Sequence, residues 1–290
     1  MSHAWAVLLG LVQGVTEFLP ISSTAHLRLI PWVFGVDTSL PLVASAQFDI
    51  ALHAGSFIAI LAALWSDWVD LFSTAFGSRA VTVSEKSPTQ DPLVSDRTQA
   101  RRFIGFLLVT SVPAGIVGVL LDQPLEKYST PAEFHAAPLL VGACLALFGV
   151  LLWAVDRYVS RQDPIGSMTW WKAFGIGCAQ AVALIPGVSR SGSTMTAGRA
   201  MGFSRETAAR YSFMAALPII GGAAAWGLRD VPISTLLSLD WVLGFTAAAL
   251  SSYLFMRVML AYVRKHTFAV FMWYRIAAGL FFVALFWIRG

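Results

Sequence analysis

The stretch Pro186-Gly187-Val188-Ser189-Arg190-Ser191-Gly192-Ser193-Thr194 puts a fixed positive charge, four hydroxyl side chains and two glycines between two apolar segments. In a soluble protein it would read equally well as a surface loop. Between hydrocarbon-compatible neighbours it reads as a polar break at membrane depth, where an ionisable residue marks a functional site by default. Arg offers a rigid fork of donors that matches phosphate oxygens. Glycines let the backbone turn so that N–H groups face an anion. The cluster therefore reads as an oxyanion pocket, with phosphate as the expected anion.

The rest of the chain supports a membrane setting. It is 57% hydrophobic and 12% charged, against about 25% charged for an ordinary soluble domain. This indicates an all-α, polytopic membrane protein. The net charge of +4 is no nucleic-acid signal, since Lys and Arg in a membrane protein mark cytoplasmic loops. Cys144 and Cys178 lie in apolar segments, so no disulfide framework is indicated. The first twenty residues carry Gln13, Thr16 and Glu17 and lack a basic start, which argues against a cleaved signal peptide.

Outward from the cluster, residues 173–202 form a broken pair of half-length helices. Residues 4–35 form another, broken at Pro20-Ile21-Ser22-Ser23-Thr24-Ala25-His26. Neither half is long enough to span, since a span needs about 20 residues. Each pair reads as a re-entrant hairpin, because irregular backbone at membrane depth must be buried or line a cavity. Full spans are expected at 46–66, 103–121, 138–156, 209–228, 241–263 and 269–288, with a polar cytoplasmic loop at 77–102.

Setting Gln13 against Gln180 aligns Val15 with Val182, Ser22 with Ser189, and Ser23-Thr24 with Arg190-Ser191, without a gap. Each half is a hairpin followed by three spans, so residues 1–157 and 171–290 form one membrane domain of two inverted repeats. The topology gathers Arg79–Arg102, Arg157–Lys172, Arg199–Arg210 and Arg264–Lys265 on one side. The other side keeps little beyond Arg28, Lys127, Arg229 and Arg289. The positive-inside rule then puts both termini outside, with the hairpin tips meeting near the midplane.

Those tips assemble Glu17, Ser22, Ser23, Thr24 and His26 with Ser189, Arg190, Ser191 and Thr194. These parts suit phosphoryl transfer. Arg190 would neutralise phosphoryl oxygens, and Ser23 or His26 would attack phosphorus. Glu17 would act as base or bind a divalent cation, Mg²⁺ or Ca²⁺. Gln13, one turn from Glu17, joins Ser22, Thr24, Ser189, Ser191 and Thr194 as substrate-binding candidates. Ser22, Thr24 and the second set of hydroxyls could instead cap their half-helices. Asp49 and His53 share a face and read as pathway lining; Arg28 and Arg275 have no nameable partner.

On Gln13-x-x-x-Glu17-Phe18-Leu19-Pro20-Ile21-Ser22-Ser23-Thr24-Ala25-His26 and Pro186–Thr194, the chain resembles the undecaprenyl-diphosphate phosphatases, also called the bacitracin-resistance family. The resemblance covers essentially the whole chain. It implies hydrolysis of a lipid diphosphate to the monophosphate, which recycles the carrier for cell-wall synthesis in the bacterial inner membrane. It also implies divalent-cation dependence and a site open to the periplasmic or outer face. Its functional positions fall on Glu17, Ser23, His26, Ser189, Arg190 and Thr194. Many members have Glu where this chain has Gln13, which shifts any metal role onto Glu17. The expected partner is the lipid diphosphate, not nucleic acid, and a homodimer is an open option. The other class to weigh is a polyprenyl-phosphate transporter or flippase, which needs the anion site but no nucleophile beside it.

Overall fold

The computed structural model describes residues 2–36, 42, 45–77, 94–121 and 137–289. Most of the expected loop at 77–102, with Arg79 and Lys86, lies outside the described residues. So does the connection carrying Asp122, Glu126, Lys127 and Glu133. The described residues form twelve α-helices and no sheet, only a single bridge between Asp163 and Phe203. In order they are α1 (Ser2–Phe18), α2 (Ser23–Phe34), α3 (Ala46–Ala63), α4 (Trp65–Phe76), α5 (Arg97–Leu120) and α6 (Ala137–Tyr158). Then come α7 (Trp170–Val182), α8 (Arg190–Ala200), α9 (Arg205–Gly227), the short α10 (Ile233–Leu236), α11 (Leu239–Val263) and α12 (Ala269–Arg289).

Five helices are long and apolar enough to cross a membrane: α3, α5, α6, α11 and α12. The segment expected as a span at 209–228 is helical, as α9, but is not among the five. It carries Arg205, Glu206 and Arg210, which are half-buried in its first two turns, and it is buried at Ala208, Ala209 and from Tyr211 through Ala216. Two boundaries also differ from the sequence reading. The span expected at 46–66 stops at Ala63, and after Leu64 the chain resumes as α4, which the sequence reading had not assigned. The helix expected from 103 begins at Arg97, because the Asp96 side chain caps it by accepting from Gln99 N at 2.9 Å.

Helices with little side-chain bulk between them approach closely. On α1, a Cβ added to Gly10 would lie 2.3 Å from Gly244 O of α11. One on Gly14 would lie 1.9 Å from Ser251 Oγ and 2.4 Å from Ser252 N. This is the small-residue spacing that lets membrane helices pack backbone to backbone. On α7, a Cβ on Gly177 would lie 2.7 Å from Thr110 O of α5. Gly142 of α6 and Gly279 of α12 face each other reciprocally, each Cβ position falling within 2.8 Å of the other's carbonyl oxygen. Gly14→Ala should therefore destabilise the fold by about 1–3 kcal/mol through overpacking. Gly115→Ala is the control: nothing lies within 4 Å of its Cβ position, so a helical alanine there should be neutral or stabilising. Thermal denaturation in detergent compares the two, and equal midpoints would remove the close α1–α11 approach.

The ends of the bundle differ in charge. At one end, Asp156 accepts from Arg199 Nε at 3.1 Å, Arg205 Nε at 2.7 Å and Phe268 N at 3.2 Å. Arg264 pairs there with Glu206, and Arg210 grips Asp67 through two hydrogen bonds. At the other end, Arg28 pairs with Asp49 at 2.9 Å, His3 with Asp240, and Arg289 donates to the carbonyls of Trp32 and Val33.

Candidate active site

Two helices begin at the same place. Pro20 and the residues around it end α1, and α2 starts at Ser23. Pro186 and Gly187 (φ 92°) lie in the turn after α7, and α8 starts at Arg190. The residues just before the two starts, Ser22 (φ 75°) and Ser189 (φ 77°), are the only non-glycine residues at positive φ among those described. Such backbone costs about 1–3 kcal/mol each and persists where surroundings over-determine it, typically at functional sites. Ser189 also caps α8, its Oγ accepting from Gly192 N at 3.1 Å.

Glu17, in the last turn of α1, is the centre of the cluster. Ser23 Oγ donates to its Oε2 at 2.6 Å, and Arg190 Nη2 donates to its Oε1 at 2.9 Å. Gln13 Nε2 adds a contact to Oε2 at 3.2 Å and another to Ser56 Oγ at 3.4 Å. His53 of α3 brings Nε2 to 3.6 Å from Oε2, while its Nδ1 donates to Asp49 O at 2.8 Å. The same Asp49 pairs with Arg28. Arg190 Nη1 is steadied by Ser212 O of α9 at 3.1 Å. A cavity of about 230 Å³ opens over this group. Glu17, Ser23, His53 and Arg190 face it, with the hydroxyls of Ser22, Thr24 and Ser189 beside them. Its other wall is apolar: Ile50, Ala183, Ile219, Ile220 and Ala223.

The candidates therefore divide. Glu17, Ser22, Ser23, Thr24, Ser189 and Arg190 meet at the cavity; Gln13 stands behind Glu17, fully buried. His26 turns away. Its Nδ1 donates to Ser22 O at 2.7 Å, its Nε2 lies 2.7 Å from the Tyr274 hydroxyl, and the rings stack at 5.7 Å. Ser191 Oγ donates to Leu19 O at 3.1 Å, tying one hairpin tip to the other. Thr194 Oγ1 bonds Arg190 O at 2.9 Å and Ser212 Oγ at 2.6 Å, inside the scaffold. The imidazole at the cavity is His53, whose i, i+4 pairing with Asp49 in an apolar helix was the available signal. Arg275, for which the sequence offered no partner, is fully buried and donates to the carbonyls of Pro20, Gly187 and Val188 at the two tips.

The expected divalent cation can be tested against the donors. Among the described residues no three His, Cys, Asp or Glu side chains converge. Glu17 is the one carboxylate at the cavity, and Gln13 Oε1, buried one turn away, has no hydrogen-bond partner. This set fits Mg²⁺ or Ca²⁺ as a companion of the ligand, held by one carboxylate and phosphate oxygens, rather than in a cage of protein alone.

A family model described as bacitracin resistance protein BacA matches residues 6–281. The undecaprenyl-diphosphatase of Moorella thermoacetica is 39% identical over 290 residues, covering all of both chains. That of Pelotomaculum thermopropionicum is 37% identical over 280 residues, covering 97% of this chain and 95% of its own. That of Desulforudis audaxviator is 36% identical over 284 residues, covering 98% of each.

Proposed function

The chain belongs to the bacitracin resistance protein BacA family, and from that premise we propose that its chemistry runs at Ser23, Glu17 and Arg190. It is an undecaprenyl-diphosphatase, a multi-pass membrane enzyme that takes undecaprenyl diphosphate as substrate. The observation that carries the site is the hydroxyl of Ser23 donating to Glu17 at 2.6 Å while Arg190 pairs with the other carboxylate oxygen at 2.9 Å.

Ser23 Oγ attacks the terminal phosphorus as its proton passes to Glu17 Oε2. The bond from that phosphorus to the bridging oxygen breaks, and undecaprenyl phosphate leaves with the electron pair. Water then attacks the phosphoserine; the Ser23 oxygen leaves and recovers its proton from Glu17, releasing inorganic phosphate. Arg190 holds the phosphoryl oxygens as charge shifts onto them. α2 and α8 start at Ser23 and Arg190, both at the cavity, so their N-terminal dipole ends add positive potential there. Glu17 would hold a divalent cation, which would neutralise charge on the diphosphate. A carrier of lipid phosphate would need the arginine but not a serine hydrogen-bonded to a carboxylate, which favours hydrolysis over transport alone.

The finer architecture we read as six spans, α9 being the sixth, plus two re-entrant hairpins related by an inverted repeat. Support comes from matched positions in the two halves. Gln13 pairs with Gln180, each with a buried amide oxygen lacking a partner. Ser22 pairs with Ser189 in backbone angle, and Gly10 on α11 corresponds to Gly177 on α5 in packing. The reciprocal Gly142–Gly279 approach is what a two-fold axis between α6 and α12 requires. The arginine-rich Asp156 end fits the cytoplasmic side. The cavity walls use the start of α3 and the end of α9, at the opposite end, so the site opens to the outer face of a bacterial inner membrane, with both termini outside.

Phosphate release from undecaprenyl diphosphate by detergent-purified protein, with Mg²⁺ or Ca²⁺ and with chelator, tests this. Cation-dependent release is the expected outcome. Lipid binding without release from folded protein would sink the hydrolytic site and favour the carrier.

A further inference from the structure

Arg275 of α12 takes no part in the chemistry above, yet it is fully buried and none of its hydrogen-bond partners is a carboxylate. Its Nε donates to Leu145 O at 2.9 Å, on α6. Its Nη1 donates to Pro20 O at 3.0 Å, on the first hairpin tip. Its Nη2 donates to Gly187 O and Val188 O, both at 2.9 Å, on the second tip, with a longer contact to Cys144 O at 3.4 Å. Val188 directly precedes Ser189, and Pro20 stands two residues before Ser22. One guanidinium thus holds the main chain beside both positive-φ serines, each followed by the first residue of a half-helix: Ser23 on one side, Arg190 on the other.

The surroundings are shaped to admit it. A Cβ on Gly192 would lie 2.9 Å from Arg275 Nη1, and one on Gly149 would lie 3.0 Å from Arg275 Cβ. The second glycine of the Pro186–Thr194 stretch is therefore explained by room for this side chain. The preceding residue, Tyr274, reaches His26, which in turn holds Ser22 O. Burying a charge on neutral carbonyls carries a large desolvation cost, and what it gains here is a planar fork that binds three separate segments at fixed angles.

We propose that Arg275 is a positioning residue for phosphoryl transfer, setting the Ser23 tip in register with the Arg190 tip. The proposal rests on the Ser23–Glu17–Arg190 reading of the active site. Displacement of reacting groups by about 1 Å can cost about 10²-fold in rate. Lysine would keep the charge but not the fork, so Arg275→Lys should lower kcat about 10²-fold while KM stays within about threefold.

The test compares wild type, Arg275→Lys and Gly149→Ala in detergent, measuring kcat, KM and inhibition by orthovanadate and by inorganic phosphate. Orthovanadate mimics the five-coordinate phosphorus and needs both tips in register; phosphate needs only the anion site. Inhibition constants do not depend on the fraction of protein that is folded, so a loss of stability alone leaves their ratio unmoved. Both variants should weaken vanadate about tenfold or more relative to phosphate, as transition-state mimics respond where ground-state ligands do not. An unchanged ratio with unchanged kcat overturns the positioning role, as does full activity in Arg275→Lys. If Arg275→Lys does not fold, Gly149→Ala carries the same decision, since the three atoms nearest its methyl group would all belong to Arg275, at 3.0, 3.4 and 3.5 Å. A wild-type enzyme that releases no phosphate overturns the active-site reading itself, whereas an active wild type with an unmoved ratio overturns only Arg275.

Discussion

Arg190→Ala abolishes phosphate release, with kcat falling by about 10³-fold or more, the range over which arginine contacts to a transferring phosphoryl group act. Two losses add. The transition state loses the donors that neutralise its equatorial oxygens. Glu17 also loses the partner at 2.9 Å that holds Oε1, so the buried base keeps Ser23, Gln13 and His53 at Oε2 but no arginine. Stability should fall as well, which makes the alanine variant ambiguous alone. Arg190→Lys resolves this. It keeps a cation near Glu17 and should recover most of the stability. It should recover little of the activity, because an ammonium cannot grip Glu17, Ser212 O and the phosphoryl oxygens at fixed angles. Single-turnover phosphate release beside a thermal melt separates the two effects. Wild-type kcat in Arg190→Lys would reduce Arg190 to a point charge.

How much of this was legible in the sequence follows from how local each feature is. The break after α1 and the start of α8 were readable because Pro20 and the Gly187–Gly192 cluster act within a few residues of themselves. Glu17, Ser23 and Arg190 were readable for a related reason: Glu17 and Ser23 flank one break, and a charge inside an apolar stretch has few other uses. What the sequence could not place depends on tertiary direction. His26 stands near Ser23 in sequence, but one turn beyond Ser22 on α2 its ring folds back onto the Ser22 carbonyl and Tyr274. His53 reaches Glu17 only because α3 packs beside α1. Thr194 and Ser191 looked like ligands for an anion; backbone carbonyls took their hydroxyls first. Arg275 had no nameable partner because its partners are main-chain carbonyls, which leave no trace in residue type. The segment expected as a span at 209–228 is helical, as α9, but falls outside the five long apolar helices, because Arg205, Glu206 and Arg210 sit in its first turns.

Ser23→Ala should remove turnover by at least about 10⁴-fold, since loss of a nucleophile leaves only the binding and electrostatic contributions. Glu17→Gln should cost about 10²–10⁴-fold, the range of a positioned general base, and should blunt the response to divalent cation in step. The decisive variant is the double one. Ser23 and Glu17 are joined by one hydrogen bond of 2.6 Å. If the carboxylate acts by taking the Ser23 proton, there is nothing left for it to activate once the hydroxyl is gone. The double variant should then be no slower than Ser23→Ala, far from the product of the two single losses. Multiplicative losses would mean that Glu17 works independently of the serine, chiefly as a cation ligand. Near-normal kcat in Ser23→Ala would return the nucleophile to histidine, and the same assay on His26→Asn and His53→Asn would name which one. The structure favours neither as nucleophile: both ring nitrogens of His26 are engaged away from the cavity, and those of His53 are turned to Asp49 O and to Glu17. Serine, with its hydroxyl already directed at the base, is the group the geometry prepares for attack.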